Sequence, residues 1–146
     1  MGYVFENINP ATISGDIGIG VKFPMNNPAV FSSTFTTIEA VKSNIKNLLL
    51  TRKGERVMHP NFGSDLLEII FEPNVSELKE DIQLIISKPI SFWIPQVAID
   101  TIDIITAEDD PSLQHDLKIT INFDLIDTAE NDTIVIFASE NQLQVE

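Results

Sequence analysis

The sequence predicts an α+β protein: an N-terminal arm over residues 1–35, then one domain over residues 36–146 with two to three helices packed on a C-terminal antiparallel β-meander. Three observations lead there. Residues 36–50 carry a capping pair followed by an apolar stripe at helical spacing. Residues 117–125 alternate apolar and polar without a break. The helix-like segments all precede the strand-like ones, which is the order of an α+β domain rather than of alternating βαβ units. A chain of 146 residues with 43% hydrophobic content suits one core.

The arm reads as irregular. Asn, Pro, Gly and Ser recur through it, and these are turn residues. Ile17, Ile19, Val21 and Phe23 alternate with small or polar residues as a short strand would, and Pro24 closes that run. A turn-rich arm of this length in a small domain is expected to wrap on something, either its own domain or a partner.

The first helix is expected from about Thr37 to Leu50. Thr36 and Glu39 form a Thr-x-x-Glu pair whose hydroxyl and carboxylate can meet first-turn amides. Ile38, Val41, Ile45, Leu48 and Leu49 form its buried stripe, with Lys42, Asn44, Lys46 and Asn47 opposite. Gly54 then supplies a turn, Glu55 to Met58 reads as extended, and Pro60 biases His59 away from helix. Ser64 can cap a second short helix through Leu66, Leu67, Ile69, Ile70 and Phe71, which Pro73 ends. Asn74 and Glu77 precede a third amphipathic helix with Leu78, Ile82, Ile85 and Ile86. Pro89 is expected to end or kink it near Ser87.

The remainder reads as sheet. Val97 to Thr106 is Ile-rich and roughly alternating, with a slip near Thr101-Ile102 that suggests a bulge. Leu117, Ile119, Ile121, Phe123 and Leu125 alternate with Lys118, Thr120, Asn122 and Asp124 in the clearest strand of the chain. The turn-rich stretch from Asp127 to Asp132 leads into Thr133 to Ala138, the pattern of a hairpin.

The net charge is −13, and it is uneven: residues 1–75 carry −1 and residues 76–146 carry −12. An acidic half of this kind disfavours nucleic acid and anionic membrane surfaces as partners. It is either a solvated surface or a lure for a basic partner. With no cysteine, disulfides and thiolate zinc sites are ruled out. The first ten residues lack the basic start and apolar core of a signal peptide.

Few residues invite a chemical reading. Glu55 and Glu72 are a candidate carboxylate pair for glycoside hydrolysis; the alternative is that either pairs with Arg52 or Arg56 inside the fold. His59 and His115 have no partner motif. Glu108, Asp109 and Asp110 lack the alternating ligands and central Gly of a calcium loop. Gly18 and Gly20 form a lone GxG outside any strand–helix context. Arg52, Lys53 and Arg56 cluster as a site for an anion or an acidic partner, or as internal ion-pair partners. Phe92 and Trp93 read as core or as an interface anchor. No cofactor and no metal is expected.

Several stretches, in order, resemble a known family. Gly20-Val21-Lys22-Phe23-Pro24 is similar to a Gly-x-x-Phe-Pro element. The stripe Ile38, Ile45, Leu48 and Leu49 leads into Thr51. Gly54-Glu55-Arg56-Val57-Met58 is similar to Gly-Glu-Arg-x-Met, Pro60-Asn61-Phe62-Gly63 to Pro-x-Phe-Gly, and Phe71-Glu72-Pro73 to Phe-Glu-Pro. Together these resemble the phage contractile-tail baseplate wedge and sheath-initiator family, whose counterparts sit in type VI secretion baseplates. At the family's Glu-Pro-Arg position this chain reads Ile94-Pro95-Gln96, so both charged partners are replaced.

The resemblance implies a non-enzymatic wedge subunit located in the virion tail baseplate and assembled in the host cytoplasm. Its implied partners are the tail sheath protein, larger baseplate wedge proteins and tail tube or hub proteins. Gly54, Glu55, Arg56, Met58, Pro60, Phe62, Gly63, Glu72 and Pro73 are its structural motif. A meander leaves edge strands with unpaired backbone groups, so the strand of Leu117, Ile119 and Ile121, or that of Thr133, Val135 and Phe137, is the expected partner-binding edge. Two rival readings are a lysozyme-like cell-wall glycosidase and an acidic adaptor module.

Overall fold

The computed structural model describes residues 18–23, 32–69, 75–106, 109, 117–128, 130–139 and 142–145. Two short strands, β1 (Gly20–Val21) and β2 (Ser33–Thr34), pair antiparallel before the first helix. Then come α1 (Thr37–Leu50), a single turn α2 (Leu66–Ile69) and the long α3 (Val75–Trp93). Four strands complete the chain: β3 (Val97–Ile105), β4 (Leu117–Leu125), β5 (Asn131–Ser139) and β6 (Gln142–Val145). They form one antiparallel sheet in the order β3-β4-β5-β6, a meander in which each strand pairs with its chain neighbours. The α+β arrangement read from the sequence is the observed one. The expected second strand pair thus extends into a further hairpin to β6, which the short Gln-Leu-Gln-Val run did not signal.

The start of α1 follows from its cap. The Glu39 amide donates to Thr36 Oγ1 at 3.4 Å, and the Phe35 amide donates to Glu39 Oε2 at 3.3 Å. The carboxylate thus reaches back one residue beyond the amide a standard capping box would use. The β1 strand is tied to this helix, since the Phe23 amide donates to Ser43 Oγ at 3.3 Å. Lys46, placed on the solvent face by periodicity, is buried at 6% exposure.

Pro89 does not end α3. The helix runs on to Trp93, and Ile94 N–H still donates to Ile90 O at 2.8 Å. An interior proline costs ~3 kcal/mol in helix propensity. Here Ile86, Ile90 and Ile94 continue the buried stripe of Ile82 past the proline, all within the core. Each buried Ile contributes roughly 1.5–3 kcal/mol, so packing outweighs the lost backbone bond. Ile94 is a core residue, while Gln96 O accepts the Ile126 amide at 3.1 Å, so apolar packing and backbone bonding hold this corner.

The core lies between the helices and one face of the sheet. Val41, Ile45, Leu48 and Leu49 of α1 and Ile82, Ile86 and Ile90 of α3 meet Ile119, Ile121 and Phe123 of β4 and Ile134 and Ile136 of β5. The unbroken alternation of β4 becomes the strict in-and-out burial of a central strand. The bulge in β3 falls between Ile99 and Thr101, so Asp100 is the extra residue. Downstream of it Thr101 faces Asn122 and Asn122 faces Thr133 across the outer face. Asn122 Nδ2 donates to Thr101 Oγ1 at 2.8 Å and Thr133 Oγ1 donates to Asn122 Oδ1 at 2.7 Å, a polar ladder over three strands.

This topology corrects one expectation. Leu117, Ile119 and Ile121 do not form an edge, because β4 is hydrogen-bonded on both sides and their side chains are in the core at 7%, 0% and 0% exposure. Thr133, Val135 and Phe137 of β5 line the outer face opposite Asn122, Thr120 and Lys118. Of these, Phe137 is already covered along its edge by Gln144 of β6.

Candidate functional site

The segment from Thr51 to Asp65 folds as a closed, exposed turn whose shape two glycines set. Gly54 sits at φ +87° and Gly63 at φ +120°, backbone that L side chains rarely adopt. A Cβ on Gly63 would lie 2.4 Å from Thr51 O, because the two chain segments meet there. The Ser64 amide donates to that same Thr51 O at 2.9 Å, and Ser64 Oγ donates to Leu49 O at 2.8 Å. The Gly54 amide donates to Pro60 O at 2.8 Å and closes the loop across its middle. Ser64 Oγ also accepts the Leu66 amide at 3.4 Å, starting α2.

The charged residues of the turn serve its shape. Glu55 Oε2 accepts the Arg52 amide at 3.2 Å, so Glu55 bonds the backbone of Arg52 rather than a guanidinium. Arg56 lies over the Phe62 ring at 4.2 Å. Lys53 pairs with Asp65 at the surface. The basic cluster is therefore split: Lys53 is an internal ion-pair partner of Asp65, Arg56 packs on a ring, and Arg52 is exposed. Glu72 and Pro73, with His115, Glu108 and Asp110, lie outside the described residues.

Aromatic rings dock the turn onto the end of α3. Trp93 meets Phe62 and Phe92 edge-to-face, each at 5.2 Å between centroids, and His59 at 6.4 Å. Phe92 is not core: it is 75% exposed, and Val57 and Met58 at the tip of the turn are 92% and 86% exposed. Between the turn and α3 runs an open groove of about 420 Å³ whose lining includes Lys53, Leu84, Lys88, Pro89, Phe92 and Trp93. Sequence reasoning found the turn and missed the groove, since nothing in the pattern tied Phe62 and His59 to Trp93.

Asp109, after β3, serves as a lock. Asp109 Oδ2 accepts from Lys79 Nζ at 2.7 Å and from both the amide and the hydroxyl of Thr106 at 3.0 Å. The Lys79 hydrogen bond, then those from Thr106, hold the Asp109 carboxyl at about 2, below its usual 3.8. A lowered folded pKa means that its stabilising contribution is complete above ~3.9, the pKa of an unfolded aspartate, and is lost as pH falls through about 2. The expected result is an Asp109 carboxyl carbon that titrates by NMR near 2, and in Asp109→Asn a thermal midpoint with a smaller pH dependence between 4 and 2. Among the described residues no cluster of His, Cys, Asp and Glu could hold a metal ion, and no helix is long and apolar enough to cross a membrane.

The comparisons with known proteins add to this geometry. The family model described as "Baseplate wedge protein gp25" matches residues 36–130, from the α1 cap to the β4–β5 turn. The chain belongs to the baseplate wedge protein gp25 family. Its role is structural, in the phage tail baseplate alongside other baseplate and tail proteins, and it is located in the virion tail. A crystal structure from Geobacter sulfurreducens, described as a candidate tail lysozyme, shares the fold with a TM-score of 0.62 and 20% identity. That match covers 73% of this gp25-family chain and 96% of the Geobacter chain. No curated protein matches the chain.

Proposed function

We propose that this gp25-family subunit works without catalysis, linking the wedge to the tail tube and sheath and starting sheath assembly by strand addition. An extended arm of the tail sheath protein pairs with an open edge of the sheet, which the turn at Gly54–Gly63 braces, and larger wedge proteins are further partners. Assembly takes place in the host cytoplasm, and tube or hub proteins are further neighbours.

The observation that carries this reading is the unequal length of β5 and β6. The nine residues of β5 meet only four of β6, beginning at Ile136. Asn131 to Val135 therefore has one side unpaired among the described residues, and β6 has a free outer side. Such an edge can take main-chain hydrogen bonds from an incoming strand. The opposite edge, β3, is partly occupied, because Gln83 of α3 donates to Ile102 O at 3.3 Å. The open side carries its own guard: Asp132 Oδ1 accepts the Thr133 amide at 2.7 Å and Lys42 Nζ at 3.3 Å.

The test is Thr133→Pro. The Thr133 amide donates to a side chain, so losing it leaves that guard unmade while the proline ring obstructs an approaching strand. The expected result is a folded protein that enters baseplates on which sheath does not polymerise. Sheath of normal length on those baseplates would exclude this edge.

A second reading, cell-wall glycoside hydrolysis, draws its support from the name given to the Geobacter protein. Glu55 is the described carboxylate for that role, yet its bond to the Arg52 amide already accounts for it structurally. Muramidase activity in the purified chain that disappears in Glu55→Gln would favour hydrolysis.

A further inference from the structure

We infer that the groove between the Thr51–Asp65 turn and α3 is a docking site for an acidic amphipathic helix of a partner protein. The inference does not depend on strand addition at the sheet edge, which lies on a different element.

The argument begins with charge. The chain carries −13 with only nine basic residues, yet Arg52, Lys53, Arg56 and Lys88 gather on the turn and the adjoining stretch of α3. Lys53, Asp65 and Lys88 are the charged residues that line the groove itself, two cations against one carboxylate. Lys53 shares its charge with Asp65. Arg56 rests on the Phe62 ring at 4.2 Å. Lys88 is exposed and makes no ion pair among the described residues. A locally basic strip on a strongly acidic protein selects an acidic partner and repels other copies of the same acidic surface.

The apolar side chains define the rest of the fit. Leu84, Lys88 and Phe92 stand one turn apart on α3, so they form a single ridge in which a cation sits between two apolar groups. Leu84 is 49% exposed and Phe92 75% exposed. Outside the groove lining, Val57 and Met58 at the tip of the turn are 92% and 86% exposed, next in the chain to the His59 that meets Trp93. Apolar exposure on this scale, framed by charge, marks an interaction surface. The complement is a helix with apolar anchors at i and i+4 and carboxylates beside them, laid into the groove. Its volume of about 420 Å³ falls in the ~300–1,000 Å³ range of binding pockets, and its open side lets a polypeptide run through.

The experiment uses three synthetic helical peptides and the full chain. One carries Leu and Phe anchors with flanking Glu, the second has Lys in place of Glu, and the third keeps Glu but has Ser in place of the anchors. None contains tryptophan, so the emission of Trp93, the protein's one tryptophan, reports the groove directly. The expected result is a saturable change in Trp93 emission with the acidic amphipathic peptide, at least about tenfold weaker with either control. Binding should weaken with added salt. Lys88→Glu should reverse the preference toward the Lys peptide, and Phe92→Ser should abolish binding of both. Both substitutions are at exposed positions, and unchanged thermal midpoints confirm that the variants fold.

Equal binding of the acidic and basic peptides, or no binding, overturns the proposal. So does an unaltered preference in Lys88→Glu. A self-associating chain whose dimer is lost in Phe92→Ser would assign the groove to a second copy instead. Trp93 emission already shielded from iodide in the free, monomeric chain would assign it to the chain's own residues.

Discussion

Gly63→Ala is expected to destabilise the fold by about 3 kcal/mol or more, lowering the thermal midpoint by roughly 6–12 °C for a domain of this size. Two costs add. The backbone at φ +120° is strained for any residue with a Cβ. The new Cβ also has nowhere to go, with Thr51 O at 2.4 Å and the Arg52 carbonyl carbon at 3.0 Å. Both neighbours are backbone, so relief requires separating Thr51 from Ser64 and breaking the bond between them. Gly54→Ala supplies the internal comparison. Its φ of +87° is also unfavourable, but nothing lies within 4 Å of the added carbon, and the expected loss is only about 1 kcal/mol. Thermal unfolding of both variants measures the difference. Equal midpoints would remove close approach as the reason for a glycine at 63.

Ile121→Ala is expected to cost about 2–5 kcal/mol in chemical denaturation. Ile121 is wholly buried at the middle of β4, opposite Ile102 on one side and Ile134 on the other. Truncation leaves a cavity between two strands and the helix layer that neither can readily fill. Val135→Ala on the outer face of β5 should cost less than ~1 kcal/mol, as partly exposed substitutions do. The pair distinguishes a core residue from a contact residue. If Ile121→Ala left stability intact and impaired only assembly, the burial assigned to β4 would be wrong.

Much of the architecture could be read from residues alone, and specific residues show why. The Thr36–Glu39 pair and the stripe from Ile38 to Leu49 located α1 because capping and periodicity are local signals, and both its ends match. The alternation from Leu117 to Leu125 identified β4 for the same reason. The bulge was legible within a residue, because a break in period 2 has to fall where the extra residue sits. Lys46 was misplaced, and α3 does not end at Pro89, because tertiary packing overrode a local rule. Burial of Lys46 and continuation of α3 past Pro89 depend on what lies across the core, not on neighbouring residues. Which strand is an edge is a property of the whole sheet. Alternation in β4 marked it as half-buried, and only its pairing with both β3 and β5 placed it inside. The candidate site divided in the same way. The glycine turn was visible from its residue types, whereas the contacts of Trp93 with Phe62 and His59 join segments about 30 residues apart in sequence.

The connectivity of the sheet has a kinetic consequence. From β3 to β6 each strand pairs with its neighbour in the chain, so the meander can zip hairpin by hairpin, with far less closure entropy at each step than a contact across the whole chain costs. The first helix reaches the sheet by a much longer route: Lys42 of α1 pairs with Asp132 of β5 across 90 residues of sequence. Contacts of that separation form late in nucleation by local pairing. During synthesis, α1 therefore leaves the ribosome long before the strands it covers, and its apolar stripe remains without a sheet until β5 is made.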